Sequence, residues 1–454
     1  MTRLPEVTPG GKGITFPSDR TAGYTTGGTR LQAMTATGAS NDTNVAVVAR
    51  RSVGVLSASQ VLSGMAIAGT VPAGALLADS IAGSDAAAGL AQTAAVTGAA
   101  LWALPLARSA LSRGRRTSLV AGFGVGALGA LVVAGGAVSE ALWMVLVGSL
   151  LLGGAQAAGY QARYAATDLA SEQHRARSLS WVIWAATIGA VLGPNLLDPS
   201  GNLAEQWGLP RLAGPYVLAL VTLAAAGIVL FALLRPDPYL LAVANRQRHS
   251  APDADTSRPR LAEGIKHLRA EPLAVTGMAA IAIGHVVMVM IMVMTPVHMA
   301  HVDVTVSLIG LVISVHILGM YAFSPVVGWF VDRHGCFRVI FAGVAILIAA
   351  CLVSGLTHGG NVPVLGLGLF LLGLGWSCTL IAGSTLIVDA VAARERPAVQ
   401  GLSDLTMNVA GALGGVVAGL VVTFGSYTLL CLIALVPVGG LAWWTRRSAP
   451  PVAV

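Results

Sequence analysis

Apolar and polar residues alternate along the chain in long blocks, with apolar runs of roughly 20 residues separated by short polar segments. A helix needs about 20 apolar residues to cross about 30 Å of hydrocarbon, whereas the strands of a membrane barrel alternate residue by residue. The pattern therefore predicts an all-α integral membrane protein. The predicted transmembrane spans lie at 53–77, 86–107, 117–137, 141–163, 178–197, 213–234, 272–296, 306–330, 338–357, 363–390, 400–423 and 427–445.

Composition excludes the class of soluble globular domains. Hydrophobic residues make up 55% of the 454 residues, charged residues only 10%, and the mean hydropathy is +0.76. Soluble domains carry about a quarter charged residues, because their surface faces water. The chain also contains 55 glycines spread through the apolar runs. Small residues let membrane helices approach closely, so we expect a tightly packed bundle of helices in a lipid bilayer.

Positive charges indicate the orientation in the membrane. Apart from Arg211, the lysines and arginines precede the first span or follow every second span. The positive-inside rule then places these segments, and both termini, in the cytoplasm of a cell whose inner membrane holds the protein. The net charge of +7 is thus interpreted as a topology signal. We expect no nucleic-acid partner and a monomer.

The same patterns divide the chain into segments. The first segment is rich in Gly, Thr, Ser and Ala and is expected to be disordered. It shows no signal-peptide pattern, and Met34 is a second candidate for the initiating methionine. The four cysteines lack metal-ligand spacing, and no metal or cofactor is expected. The predicted organisation is a cytoplasmic tail at 1–49, a six-helix bundle at 50–234, a cytoplasmic linker at 235–271, a second six-helix bundle at 272–447 and a short tail at 448–454.

An internal duplication relates the two bundles. Gly114 follows span two and Gly335 follows span eight, a shift of 221 residues that is the difference between 335 and 114. Duplicated halves are a recurrent building plan of secondary transporters. The same shift maps Asp168 onto Asp389, Arg175 onto Arg396 and Gly193 onto Gly414.

The segment from Gly328 through Asp332 and Arg333 to Gly335 resembles the Gly-x-x-x-Asp-Arg-x-Gly motif of major facilitator superfamily transporters. The resemblance extends over about residues 50–447 and implies the fold of that superfamily, with two pseudo-symmetric six-helix halves. The glycines permit a tight turn. Symmetry places the turn opposite the start of span five, so we expect Asp332 to act on that helix end when the halves close on the cytoplasmic side.

The first-half copy of this motif departs from the pattern. Leu111 stands where the aspartate belongs, and Ala107 stands where the first glycine belongs. A gating role is therefore expected of the second copy only.

Two charged pairs are similar to the charged four-to-five and ten-to-eleven loops of the same superfamily. They are Asp168 with Arg175 and, in the second half, Asp389 with Arg396. A gating role is one interpretation, and topology charges in solvated loops are the alternative.

Span five contains Gly189, Gly193 and Pro194, which are similar to the Gly-x-x-x-Gly-Pro core of the motif found in drug and proton antiporters. In such a role the segment kinks the helix and flattens one face for packing. The match is partial, because Leu197 and Asp198 follow where the fuller motif has paired glycines, and Arg163 lies at the end of span four instead of mid-membrane.

Polar residues within the spans are candidates for contacts with substrate or protons, since unpaired polar groups facing lipid are costly. The alternative for each is an interhelical hydrogen bond. His285 and His316 are the leading proton carriers, because histidine titrates near neutrality, whereas Asp404 lies near the cytoplasmic start of span eleven. The candidates are Gln60, Gln92, Gln156, Tyr160, Trp184, His285, His316, Trp376, Thr379 and Asn408.

The sequence thus favours a secondary active transporter that moves a small molecule by alternating access, with proton-coupled efflux as the first hypothesis. A metabolite importer or uniporter without proton coupling is the second. A transport-inactive membrane sensor or scaffold is the third. We find no phosphate loop, zinc-spaced histidine pair or nucleophile elbow, and expect no enzyme.

Overall fold

A computed structural model describes residues 26–83, 85–249, 271–304, 306–357 and 361–449. Within these ranges the backbone consists of helices joined by short turns, without strands. In chain order the longer helices are α1 (Thr26–Ala82), α2 (Asp85–Arg113), α3 (Arg115–Val138), α4 (Leu142–Ala165), α5 (Arg175–Asn195), α6 (Leu197–Gln206), α7 (Gly214–Leu233), α8 (Pro238–His249), α9 (Pro272–His301), α10 (Val306–Tyr321), α11 (Ser324–His334), α12 (Cys336–Gly355), α13 (Val362–Ala390), α14 (Arg396–Phe424) and α15 (Tyr427–Ser448).

The described residues contain twelve helical segments that are long and apolar enough to cross a membrane. The predicted number of spans and the all-α membrane fold are confirmed. Helix ends extend beyond the predicted runs: the first span, predicted at 53–77, belongs to a membrane helix at Val45–Ala82. Hydropathy marks only the part of a helix that matches hydrocarbon, whereas hydrogen bonding continues the helix into its polar ends.

The eighth span is broken into two helices, a feature the hydropathy pattern did not predict. Helix α10 ends at Tyr321 and α11 begins at Ser324. Pro325 explains the break, because it lacks an N–H group and its ring clashes with the carbonyl of the residue four positions earlier, which is Tyr321.

Helix α6 is a second unpredicted element, a short amphipathic helix between spans five and six. Its acidic side chains contact Arg211, whose guanidinium lies 2.8 Å from an oxygen of Asp198 and 3.4 Å from one of Glu205. Asn202 accepts a further hydrogen bond from Arg211 at 2.6 Å. The one arginine that departs from the charge pattern is therefore matched by acidic neighbours.

Contacts divide the chain into two units, Met1–Val45 and Ala46–Val454. Residues 1–25 of the expected tail lie outside the described residues, and from Thr26 the backbone is helical instead of irregular. Residues such as Leu31, Gln32 and Ala33 favour helix, which accounts for the difference. The linker begins as α8, and residues 250–270 and 450–454 lie outside the described ranges.

Within Ala46–Val454, helices α1 to α7 form one half, which we call the N-half, and α9 to α15 form the C-half. One cluster of buried apolar residues lies inside the N-half. The other fills the C-half and includes Tyr164, Ala176, Leu179 and Ile183 of the N-half. The halves pack crosswise, α2 against α14 and α5 against α11.

One end of this bundle holds most of the loop arginines, and we call it the basic end. There α2 joins α3, α4 joins α5, α11 joins α12, and α13 joins α14. Its arginines are Arg113, Arg115, Arg116, Arg175, Arg177, Arg333, Arg338, Arg394 and Arg396.

Candidate functional site

The turn between α11 and α12 links the two halves. Gly335 has φ 87°, a conformation that L side chains rarely adopt, and ends α11 three residues after Asp332. One oxygen of Asp332 accepts the backbone N–H of Ala176 at 3.0 Å, and the other accepts that of Arg177 at 3.1 Å. These donors belong to the first turn of α5, where N–H groups lack helical partners and the helix dipole favours an anion. Asp332 therefore fastens the C-half to the N-half.

Gly328 allows this contact by letting α11 lie directly on α5. A Cβ at position 328 would meet the carbonyl oxygen of Ala176 at 2.8 Å and would collide with the Oγ of Ser180. Any larger residue must push the two helices apart. Arg333, the next residue of the motif, is exposed to solvent.

The mirrored contact between α2 and α14 has the same close packing with the glycine on the other helix. The 221-residue shift relates Gly328 to Ala107 and Ser180 to Gly401. A Cβ added to Gly401 would collide with the Cβ of Ala107. The departure of Ala107 from the motif is thus matched by the glycine facing it, so close helix packing exists on both sides.

The missing aspartate of the first copy also has a counterpart across the interface. The residue that mirrors Asp332 is Leu111, and α14 continues after its first residue with Pro397, which has no N–H. The next N–H, of Ala398, donates to the carbonyl of Glu395 at 3.0 Å. Neither Pro397 nor Ala398 therefore offers a free N–H to an acceptor at position 111. Of the two interfaces, α5 with α11 has a carboxylate clamp and α2 with α14 does not.

Asp168 does not pair with Arg175, its neighbour in the loop. It lies in a buried two-pronged ion pair with Arg115, with Nε to Oδ2 at 2.8 Å and Nη2 to Oδ1 at 3.3 Å. Arg115 also donates to the amide oxygen of Gln400 in the C-half. Burial raises the pKa of the Asp168 carboxyl, and the charge of Arg115 opposes that rise.

Arg175 instead reaches across the interface to Asp389, with Nη1 at 2.5 Å from Oδ1. Arg396, which the duplication relates to Arg175, donates to the backbone carbonyl of Val391 at 3.1 Å. The four charged residues predicted as a repeated pair thus all lie at the basic end, but their partners differ between the halves.

A further buried ion pair crosses the interface deeper in the bundle. Arg163 of α4 lies 2.7 Å from Asp404 of α14, and the two side chains are 3% and 1% exposed. Asp404 lies eight residues into its helix, about 12 Å from the start. The guanidinium stands 4.8 Å from the ring centre of Tyr164 and 5.5 Å from that of Tyr160.

Sequence reasoning assigned Arg163 and Asp404 to helix ends and missed their pairing. The usable signal was polar spacing along one helix face, Gln156 with Tyr160 and Arg163 on α4. A helical spacing of four residues on α14 gives the series Gln400, Asp404 and Asn408.

The start of the linker is a second link that sequence reasoning missed. Asp237 accepts the N–H of Arg116 at 2.8 Å at the start of α3, and the N–H of Tyr239 at 3.0 Å at the start of α8. The hydroxyl of Tyr239 then donates to the carbonyl of Arg394 in the C-half at 2.7 Å. The linker is therefore attached to both halves at the basic end.

Three candidate binding residues of the N-half lie close together, of which Gln156 and Tyr160 are partly accessible and Gln60 is buried. Gln156 donates to the hydroxyl of Tyr160 at 2.9 Å. A Cβ at Gly159 would lie 3.4 Å from the amide oxygen of Gln60, which places Gln60 beside α4. Trp184 is also partly accessible and packs edge-on against Trp181, with ring centres 5.5 Å apart.

Candidates of the C-half lie near the Arg163–Asp404 pair. His285 accepts the indole N–H of Trp376 at 3.2 Å, and Tyr321 meets the same indole edge-on at 5.8 Å. The charge of Arg163 acts on both His285 and Tyr321. Asn408 donates to the backbone carbonyl of Asp404 at 2.7 Å. Tyr321 was not among the predicted residues.

Other candidates have local roles. His316 is buried, and its Nδ1 lies 2.8 Å from the carbonyl of Leu369 on α13 of the same half. Thr379 donates to the carbonyl of Trp376 in its own helix at 2.9 Å. Gln92 lines a cavity of about 50 Å³ inside the N-half together with Gln156 and other residues of α1, α2, α4 and α7. Within the described ranges, His, Cys, Asp and Glu form no group of three or more that could hold a metal ion.

The Gly-x-x-x-Gly-Pro segment packs α5 on α1. A Cβ at Gly189 would lie 2.6 Å from the backbone nitrogen of Met65, and one at Gly193 would lie 2.7 Å from the carbonyl of the same residue. Pro194 is the second-last residue of α5. It therefore ends the helix and does not kink the middle of the span.

The family model described as Major Facilitator Superfamily matches residues 56–305 and 277–454. The chain belongs to the Major Facilitator Superfamily. It is 38% identical over 384 residues to the uncharacterized MFS-type transporter YdeG of Bacillus subtilis (strain 168), a match that covers 85% of this chain and 88% of YdeG. It is 26% identical over 364 residues to the riboflavin transporter RfnT of Brucella anthropi, which covers 80% of this chain and 86% of RfnT.

Solved structures of the superfamily share the fold. The human organic anion transporter MFSD10 (TETRAN) superposes with a TM-score of 0.66 at 18% identity, over 88% of this chain and 99% of that one. A Major Facilitator Superfamily member with this fold is a multi-pass transporter of a small-molecule substrate in a lipid bilayer. The resemblance to the superfamily is therefore confirmed, at the level of the superfamily.

Proposed function

We propose that the protein is a secondary active transporter that works by alternating access, and that the structure is its state closed at the basic end. The observation that supports this is the position of the polar links between the halves. Asp332 with the start of α5, Arg175 with Asp389, and Arg115 with Gln400 all lie at that end. Such links must break when the same end opens, so they bias the equilibrium between the two states.

We further propose that the basic end faces the cytoplasm. The positive-inside rule supports this orientation, and the single exception, Arg211, is offset by Asp198 and Glu205. In that orientation the structure is closed to the cytoplasm. The partly accessible side chains Gln156, Tyr160 and His285 then belong to a cavity that faces outward.

Efflux in exchange for protons is the first proposal for the direction of transport. The backbone contact of α5 with α1 through Gly189 and Gly193 supports it, because a rigid α1–α5 unit suits the antiporter-like motif. Import is the second proposal. It is supported by the 26% identity to RfnT, named as a riboflavin transporter, and by the aromatic rings of Trp376 and Tyr321 at the centre of the C-half.

One genetic experiment separates these proposals. A deletion strain is complemented with the native gene or with the Gly328→Leu variant, and both strains are screened for resistance to toxic compounds and for uptake of metabolites. Efflux predicts lost resistance and raised accumulation in the variant, whereas import predicts lost uptake. The native protein, purified and placed in liposomes, is then assayed with the compound that the screen finds. No movement of any compound by the native protein would contradict the transport proposal and favour the sensor or scaffold.

A further inference from the structure

Two buried arginine–aspartate pairs lie toward the basic end of the bundle, and they are built differently. Arg115 donates hydrogen bonds to Asp168 from both Nε and Nη2, so both carboxylate oxygens are bonded. Arg163 reaches Asp404 through Nη2 and Oδ1 alone, at 2.7 Å. The Nε of Arg163 and the Oδ2 of Asp404 are buried without a hydrogen-bond partner. A buried polar atom without a partner in a native structure calls for an explanation.

The pairs also differ in what they connect. Arg115 and Asp168 both belong to the N-half, so their bond survives when the halves move apart. Arg163 and Asp404 belong to different halves, so their bond exists only while the basic end is closed. Arg115 also has a buried nitrogen without a partner, Nη1, but the pair with an unbonded carboxylate oxygen is the one whose formation depends on the conformational state.

The charged and titratable groups around Asp404 come from two helices of the N-half. Arg163 and Tyr160 face it from α4, and Arg115 acts on it from the start of α3. On α14, the helix of Asp404, Asn408 donates a hydrogen bond to the backbone carbonyl of Asp404 and not to its carboxylate. Beyond Arg163, the carboxylate has no second partner in the described part of the chain. Protonation of Asp404 would therefore leave Arg163 as a buried charge without a counter-ion.

We propose that Asp404 is the coupling carboxylate of this transporter and that its protonation breaks the bond to Arg163 and opens the basic end. The proton comes from water in the cavity and adds to a carboxylate oxygen, with Oδ2 the one that holds no hydrogen bond. This inference rests on the proposed transport function and adds the residue through which protons act. Protonation in the closed state leaves Arg163 as a buried unpaired cation, a cost that shifts the equilibrium toward the open end by roughly a hundredfold or more.

The sign of the effect follows from the state in which the pair forms. A deprotonated Asp404 stabilises the closed basic end, and a protonated one destabilises it. By linkage, acidification must then favour the open basic end, and opening must raise proton affinity by the same factor. His285 bonds Trp376 of the same half and not Arg163, so its protonation would break no hydrogen bond between the halves.

The test measures the distance between spin labels at the basic end of the purified protein over a pH series. Labels on Ser112→Cys and His334→Cys, which are exposed and in different halves, report opening in a background without Cys336, Cys351, Cys378 and Cys431. The native pair should give a short distance at neutral pH and a growing long-distance population on acidification. Asp404→Asn should give the long distance at all pH values. The double variant Asp404→Asn with Arg163→Met should return to the short distance without a pH response.

Asp168→Asn is the matched control, because it removes the other buried carboxylate but leaves the pair across the interface. It should keep a pH-dependent distance change. Asp404→Glu, which keeps a titratable group, should keep one as well and replaces the Asn variant if that variant fails to insert. A pH response in Asp404→Asn like that of the native protein would overturn the inference, as would a double variant as open as the single one. A missing response in the native protein together with intact transport would overturn the coupling role alone, whereas missing transport would overturn the proposed function.

Discussion

Replacing Asp332 by asparagine removes the clamp charge while keeping the size of the side chain. The native carboxylate accepts two backbone N–H groups of α5 at 3.0 and 3.1 Å, and its side chain is only 5% exposed. Hydrogen bonds to charged groups contribute about 1.5–3 kcal/mol each, and a favourable helix-end charge contributes up to about 2 kcal/mol. Asparagine can still accept one N–H, so we expect a loss of about 2–3 kcal/mol. A change of about 1.4 kcal/mol is tenfold, so the open population should rise about 30- to 140-fold.

The assay is the rate of thiol labelling at a residue that becomes accessible only when the halves separate. Leu179 is fully buried in α5 and belongs to the apolar cluster of the C-half. In a background without native cysteines, Leu179→Cys should react slowly, and Asp332→Asn should accelerate the reaction by a factor close to the population change.

Leu111→Asn is the matched control for this experiment. Position 111 corresponds to Asp332, and Pro397 stands where α5 has the donor residue Ala176, so the control removes no carboxylate clamp. It should leave the labelling rate within a few fold of the native rate. Equal rates for Asp332→Asn and native protein, with transport intact, would show that the motif is only a stable turn and would refute the reasoning.

Three further changes test the helix contact at Gly328, the orientation in the membrane and the role of His285. Gly328→Leu should separate α11 from α5 and abolish transport. The control Gly227→Leu, at a position where a Cβ meets no atom within 4 Å, should leave transport near the native rate. Equal transport by both variants would contradict this. Reporter fusions after residue 249 should be active in the cytoplasm and fusions near residues 82 and 302 outside, and the reverse pattern would contradict the orientation. His285→Gln should keep the pH dependence of transport, because His285 accepts the N–H of Trp376; a flat profile would make His285 the proton carrier.

The fold could be predicted from the sequence because its determinants are local. Runs of apolar residues specify spans, loop arginines mark the loops that share one end of the bundle, and the 221-residue shift specifies two halves. The break of the eighth span depends on one residue, Pro325, which a window average of hydropathy does not detect. Helix α6 was not predicted for a similar reason, because ten amphipathic residues are too short and too polar to register as a transmembrane span.

The residues of the candidate site could be predicted only where they belong to a recognisable sequence motif. Asp332 and Gly328 lie where the motif and the duplication implied. Arg163 and Asp404 did not belong to a motif, and their pairing joins residues 241 positions apart. Single-chain patterns show the polar stripe on each helix but not which stripes face each other, because that depends on packing between the halves.

The central claim is that the two halves alternate between closure at the basic end and closure at the opposite end. Distances between spin labels at both ends of the native transporter in lipid bilayers test it most directly, with Ser112→Cys and His334→Cys at the basic end and Ser139→Cys and Leu356→Cys at the opposite end. The account predicts that each condition that lengthens the first distance, such as acidification or Asp332→Asn, shortens the second. Distances that change at one end only, or at neither, would contradict it.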